Sequence, residues 1–226
     1  YVNKTILGYY RLNVGENVFP TPAVIDSFPS ADHVYDVLVT GDTTYVTAGW
    51  AGVLLFATNA SGNHLTPLDT IGILGSVRPL GMMDERWLMV TTEKNGWAVW
   101  DKVGGDLEGP YAAQAGNPVD IAGQDSMIYV AAGDAGVHVF EWAGDASFVV
   151  TLDVPGQATA LKISEDKLYV ASQPEGIFVY DIANPKDQIP LTQSLTDYEG
   201  IQNIDVVSSQ VYGAMGENGI LHWVPG

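Results

Sequence analysis

Apolar and polar positions along this chain fall into one recurring pattern. A bulky residue, usually followed by Val, leads into five variable residues, a glycine, and four mostly apolar positions that end in a large side chain. Six copies are visible, at residues 1–12, 45–56, 89–100, 129–140, 169–180 and 212–223. Their glycines are Gly8, Gly52, Gly96, Gly136, Gly176 and Gly219, separated by 44, 44, 40, 40 and 43 residues. That spacing matches the roughly 40–45 residues of one four-stranded propeller blade. The expectation is an all-β fold, a β-propeller of four-stranded antiparallel blades, occupying residues 1–226 as a single domain. Counting copies predicts six blades. The alternative is a five-bladed ring in which residues 22–29 close the unit containing Trp223 and residues 1–14 stay outside it.

Within each unit the pattern resolves into four strands, A to D. Residues 34–40 alternate as a half-buried strand A, and Gly41-Asp42 then marks a tight turn into strand B. Comparable turns lie at residues 83–85, 124–126 and 165–166, where an acidic side chain favours turning over continuing the ladder. The repeated glycine follows the B–C loop and fits a position of positive φ or close backbone approach. Strand C is then a nearly continuous apolar run, at residues 53–56, 97–100, 137–140 and 177–180, as expected of a strand covered on both faces. Its last aromatic residues, Trp100, Phe140, Tyr180 and Trp223, are expected to fill the space between neighbouring blades. Polar turns at residues 59–63, 104–109 and 184–188 precede a more exposed strand D, expected at residues 23–28, 68–74, 110–116, 148–154 and 189–195. No helix is expected, since no 3.6-residue apolar period persists for about 10–12 residues. The terminal repeats are incomplete, the first lacking strand A and the last strand D. Flanking residues of a longer polypeptide, or a strand from a neighbouring subunit, would supply them.

Charge narrows the partners. The 27 Asp and Glu against 9 Lys and Arg give a formal net charge of −18. Nucleic acid is excluded on this ground, because a phosphate-binding surface needs clustered basic residues. No apolar run approaches the length of about 20 residues that a spanning helix needs, so no membrane insertion is expected. The acidic surface suits a protein facing salt or divalent cations outside a cell. With no cysteine, neither disulfides nor thiolate chemistry are available. Asn3 and Asn59 begin two N-x-Ser/Thr sequons and are candidate glycosylation sites in an exported chain.

The segment GIFVYDIANP, residues 176–185, resembles the LVIVD repeat, a propeller motif of bacterial and archaeal exported and cell-surface proteins. Asp181 stands at the acidic position of that pattern and Asp101 follows it. Glu141 is a conservative departure, and Ala57, Asn13 and Val224 lose the acid. The resemblance implies an extracellular or cell-surface location and carries no catalytic residue set.

The residues themselves point the same way. His33, His64, His138 and His222 lack metal-ligand spacing, and no nucleophile elbow, phosphate loop or dinucleotide fingerprint occurs. One constellation is of interest. Asp36, Leu80, Asp120, Ala160 and Asn203 occupy the same place on successive strands A, and the oxygen-bearing members Asp36, Asp120 and Asn203 would surround a propeller axis. Such oxygens suit a hard cation such as Ca²⁺, or they simply hydrate the channel and cap strand ends. A second candidate surface is the B–C loops, whose tips carry Trp50, Glu93, Asp134, Glu175 and Glu217. The expected function is a noncatalytic structural or protein-interaction module in a surface assembly, with other subunits, surface proteins or copies of itself in an oligomer or filament as partners. No cofactor is expected under that function. The alternative is a lactonase- or glycosidase-like hydrolase that uses a channel metal.

Overall fold

The computed structural model describes residues 28–57, the backbone of Thr58, and residues 65–226. Asn3 and Asn59, the first repeat copy and the strand expected at residues 23–28 lie outside the described residues, apart from Phe28. The chain packs as two units, Tyr1–Val77 and Arg78–Gly226, which are taken in turn.

In the first unit, β1 (Asp36–Thr40), β2 (Thr43–Thr47), β3 (Val53–Thr58) and β4 (Leu65–Ile71) form one antiparallel sheet in chain order. Thr40 pairs with Thr43, so Gly41-Asp42 is a two-residue hairpin loop, and Gly41 takes φ 59°. Val46, Val53 and Phe56 are buried, with the Phe28 ring set edge-on to Phe56 at 5.0 Å.

The second unit repeats that sheet. Strands β5 (Val77–Met83), β6 (Trp87–Thr92), β7 (Gly96–Asp101) and β8 (Leu107–Tyr111) form one sheet, β5 entering from Val77 of the first unit. A second contains β9 (Asp120–Gln124), β10 (Met127–Ala131), β11 (Val137–Trp142) and β12 (Ala146–Leu152). A third contains β13 (Gln157–Ser164), β14 (Lys167–Gln173), β15 (Gly176–Asp181) and β16 (Leu191–Thr196). The last has three strands among the described residues, β17 (Asn203–Val207), β18 (Gln210–Ala214) and β19 (Ile220–Trp223). The described residues therefore form five sheets, the alternative count, where six were expected. Five of the six repeat copies fall among the described residues, one to each sheet. A single 3-10 turn, Gly216–Asn218, is the only helical element among the described residues.

The acidic turns behave as their chemistry requires. Two-residue hairpins need left-handed backbone, and Asp125 and Glu165 supply it at φ 54°, with Ser208 and Ser209 doing so in the last sheet; Asp84, at φ 55°, does the same in the three-residue turn 84–86. Strands D depart from expectation: they begin at residues 65, 107, 146 and 191, two to three residues earlier than expected in three of the four sheets, and two residues later in the fourth. These outermost strands are mostly exposed, so hydrophobicity does not mark their ends. Pro67 and Pro110 sit there because an outer strand tolerates the missing N–H donor. Each of the four C–D ladders also carries a register shift, beside Leu55, Trp97, Val139 and Val179 respectively.

Burial in the second unit lies between successive sheets. On β10, Ile128 and Val130 join Met83, Met89, Trp97, Phe140 and Trp142, while Met127, Tyr129 and Ala131 join Leu161, Val170, Phe178 and Tyr180. A third cluster joins Tyr169, Ile177 and Val179 to Ile201, Ile204 and Val211. Strands B and C are thus covered on both faces, which explains their unbroken apolar runs. Phe140 and Tyr180 fill inter-sheet space as expected, but Trp100 and Trp223 are only half-buried. The fully enclosed indole is Trp97, three positions earlier than Trp100 and on the opposite face of β7.

Burial also raises the phenol pKa of Tyr45, Tyr111, Tyr129, Tyr169 and Tyr180, with Tyr111 pushed up to about 12 by burial and by the neighbouring Asp145 carboxylate. A pKa raised in the folded state gives stability that is present below the ordinary phenol value of about 10 and lost as pH rises through the folded value. Alkaline titration is expected to unfold the protein above about pH 10. Phenolate absorbance and loss of β-sheet circular dichroism should then rise together; phenolate formation complete well before unfolding would contradict the assignment.

Candidate functional site

The strand A set is best judged from its backbone. Asp36 pairs with Thr47, Asp120 with Ala131, Ala160 with Ala171 and Asn203 with Ala214, so these positions do share one register. Each oxygen-bearing member accepts a hydrogen bond from the next residue's N–H: Val37 to Asp36 at 2.8 Å, Ile121 to Asp120 at 2.9 Å and Ile204 to Asn203 at 2.8 Å. Asp120 does more. Its second carboxylate oxygen accepts the Leu161 N–H at 2.7 Å, linking β9 to β13, the first strand of the following sheet. The sequence gives no sign of this bond, because its partners are 41 residues apart and Leu161 contributes only backbone. Within the second unit both Asp120 oxygens therefore hold protein N–H groups. No group of three or more His, Asp or Glu suited to a metal occurs among the described residues.

Other candidate residues also serve the scaffold. Asp101, the acid that closes β7, takes a bidentate pair from Arg86, at 2.9 Å from Nε and 2.6 Å from Nη2, and accepts the Val103 N–H of the C–D turn. The guanidinium also lies 4.4 Å over the Trp87 ring. The Arg86 hydrogen bonds hold the Asp101 carboxyl far below the usual carboxylate range. Asp181 accepts the Ala183 N–H in the equivalent turn, while the longer Glu141 reaches Lys186 on the next sheet. At Asp101 and Asp181 the acid of the repeat pattern is thus a turn-capping group. His138 is buried, with Nδ1 2.9 Å from the Thr151 hydroxyl and Nε2 2.9 Å from the Ala115 carbonyl. His222 stacks on Tyr212 with centroids 4.8 Å apart.

The B–C loop tips are all exposed: Trp50, Glu93, Asp134, Glu175 and Glu217. Those at Trp50, Asp134 and Glu217 stand on turns closed by backbone hydrogen bonds. Ala132 donates to the Gly136 carbonyl at 2.9 Å, Ala135 to Ala132 at 3.2 Å and Gly136 to Gly133 at 3.1 Å. Glu93 pairs with Arg78 at 3.1 Å, and Glu217 lies within the 3-10 turn. Asp134 is one lining residue of a cleft of about 460 Å³, together with Gly116, Asn117, Ala132, Gly133 and Gln157. At the opposite, A–B end of the sheets a second cleft of about 440 Å³ is lined by Asp125, Ser126, Asn184, Lys186 and Asp187.

Comparison with known proteins speaks to the fold. The crystal structure of the computationally designed Ika8 protein superposes with a TM-score of 0.70 at 15% identity, over 87% of this chain and 60% of that one. The chain here is a β-propeller. Four of its five sheets are four-stranded and all are antiparallel, in line with the repeat spacing, the last having three strands among the described residues. The crystal structure of a second computationally designed protein, Ika4, matches with a TM-score of 0.58 at 18% identity, over 69% of this chain and 94% of that one. The propeller thus spans about three-fifths of the length of Ika8. No family model and no curated protein matches the sequence. Propeller blades present their loops on a rigid frame, so chemistry must be sought residue by residue at the loop tips and along the strands A.

Proposed function

We propose that this protein is a noncatalytic five-bladed propeller that works outside the cell or on its surface, as a structural or protein-interaction module. Its partners in this reading are other protein subunits, surface proteins or further copies of itself. One observation carries the reading: the tips Trp50, Glu93, Asp134, Glu175 and Glu217 are exposed and chemically varied, and those at Trp50, Asp134 and Glu217 stand on turns whose shape backbone hydrogen bonds fix without them. A rigid frame with variable tips is built for recognition. The net charge of −18 and the resemblance of residues 176–185 to the LVIVD repeat support an exported location.

A hydrolase would need free carboxylates or a metal, and both Asp120 oxygens are engaged by N–H groups. The test is turnover on a panel of lactones and aryl glycosides, with Ca²⁺ supplied. No rate above background is expected. Hydrolysis that disappears in Asp120→Asn would overturn the reading.

A further inference from the structure

The B–C turn of the first unit, residues 47–52, reads TAGWAG, and that of the β9–β12 sheet, residues 131–136, reads AAGDAG. Their backbones match. Ala48 donates to the Gly52 carbonyl at 2.9 Å, Ala51 to Ala48 at 2.9 Å and Gly52 to Gly49 at 3.3 Å, the same three bonds found at residues 132–136. Gly49 and Gly133 have φ 52° and 61°, and Gly52 and Gly136 have φ 85° and 77°. The turn therefore accepts Asp134 where the first unit has Trp50, and the indole is not what shapes it. Yet Trp50 is 75% exposed. A large aromatic left in water, on a turn that folds equally with an aspartate, is the pattern of an anchor for a partner.

The surroundings define that partner. Asp32 accepts the Trp50 N–H at 2.8 Å on one oxygen and the His33 N–H at 2.7 Å on the other. These bonds, led by that from Trp50, hold the Asp32 carboxyl below its ordinary pKa. Tyr35, 41% exposed, lies against Gly49, and its ring centroid is 6.4 Å from that of His33, whose side chain is 64% exposed. The Asp32 carboxylate thus ties the His33 ring and the Trp50 main chain together, and the Tyr35 ring lies against Gly49, next to Trp50 in the chain. Residues 28–77 contain Asp32, Asp36, Asp42 and Asp69 and not one Lys, Arg or Glu.

We propose that Trp50, with Tyr35 and His33, docks a cationic peptide segment, an arginine guanidinium stacking on the Trp50 indole. Ring quadrupoles attract such a cation, and the acidic surroundings steer it while repelling anionic partners. The proposal rests on the interaction-module reading and supplies its first contact surface.

The test is calorimetric titration of the full chain with acetylated, amidated tetra-arginine at low salt, beside tetra-glutamine and cellotetraose. Wild type is expected to bind tetra-arginine alone, more weakly as salt rises. Trp50→Asp is expected to bind about tenfold more weakly, despite its added negative charge, and Trp50→Ala equally so, with Trp50→Tyr retaining most of the affinity. Circular dichroism of Trp50→Asp should match wild type, since Asp134 occupies the same turn. The proposal is overturned if wild type ignores tetra-arginine, if Trp50→Asp binds it as well as wild type does, which would mean charge alone, or if cellotetraose is the ligand bound. Each of those results leaves the noncatalytic reading to be decided separately by the turnover assay.

Discussion

Replacing Trp97 with Ala is expected to cost about 3–5 kcal/mol, the range for emptying a buried aromatic site. Trp97 is fully enclosed, with Tyr111 at 4.8 Å and Phe140 at 5.0 Å between ring centroids, so the void would open between two sheets rather than at a surface that can collapse. Trp100→Ala, from a half-buried site on the other face of β7, should cost clearly less. Trp97→Phe should also be milder than Ala, because the ring still fills most of the space. It also removes a buried indole N–H that has no hydrogen-bond partner among the described residues. Chemical denaturation of the three variants checks the order. Equal losses for Trp97→Ala and Trp100→Ala would mean that the facing of β7 is misassigned.

The second large effect lies at the repeat glycines. Gly176 has φ 132°, and a Cβ built on it would overlap the Leu195 carbonyl oxygen on strand β16. Gly52, Gly96 and Gly136 meet the carbonyls of Ile71, Tyr111 and Leu152 in the same way. Gly219 is the natural control: its φ is 88°, but among the described residues nothing lies within 4 Å of the added carbon. Backbone strain alone should make Gly219→Ala cost about 1–3 kcal/mol. Gly176→Ala should cost about 1–3 kcal/mol more, because strands β15 and β16 must separate to admit a methyl group. Denaturant midpoints for the two variants decide this, and equal midpoints would show that close approach adds nothing beyond φ.

That glycine position was legible in the sequence because one physical constraint recurs at near-constant spacing, and a chain that repeats a constraint repeats a structure. Strands B and C were legible for the same reason, their two buried faces demanding unbroken apolar runs. Strands D were misplaced because, as the outermost strands, they are specified by main-chain pairing and a repeated bulge, neither of which leaves a hydrophobic signature. The repeat marks Trp100 and leaves Trp97 unmarked, because a continuous apolar run does not say which parity faces the tighter side. At the candidate site, the shared register of Asp36, Asp120 and Asn203 could be counted from the repeat, but the bond from Leu161 to Asp120 could not. Trp50 could be seen at a loop tip, yet its significance rests on the match between its turn and that of Asp134, which only the backbone reveals.

Whether the strand A oxygens hold blades together or hold a metal separates a scaffold from a metal-dependent hydrolase. The measurement that tests it most directly is the thermal midpoint of wild type and Asp120→Ala, each in EDTA and in millimolar CaCl₂. A scaffold pinned through Asp120 predicts a wild-type midpoint that calcium leaves unchanged. The variant should be destabilised by about 1–3 kcal/mol in both buffers, because the Leu161 N–H loses its acceptor. Binding of a cation to the native state alone would raise the midpoint with calcium concentration. A calcium-dependent rise in wild type that vanishes in Asp120→Ala would contradict the scaffold.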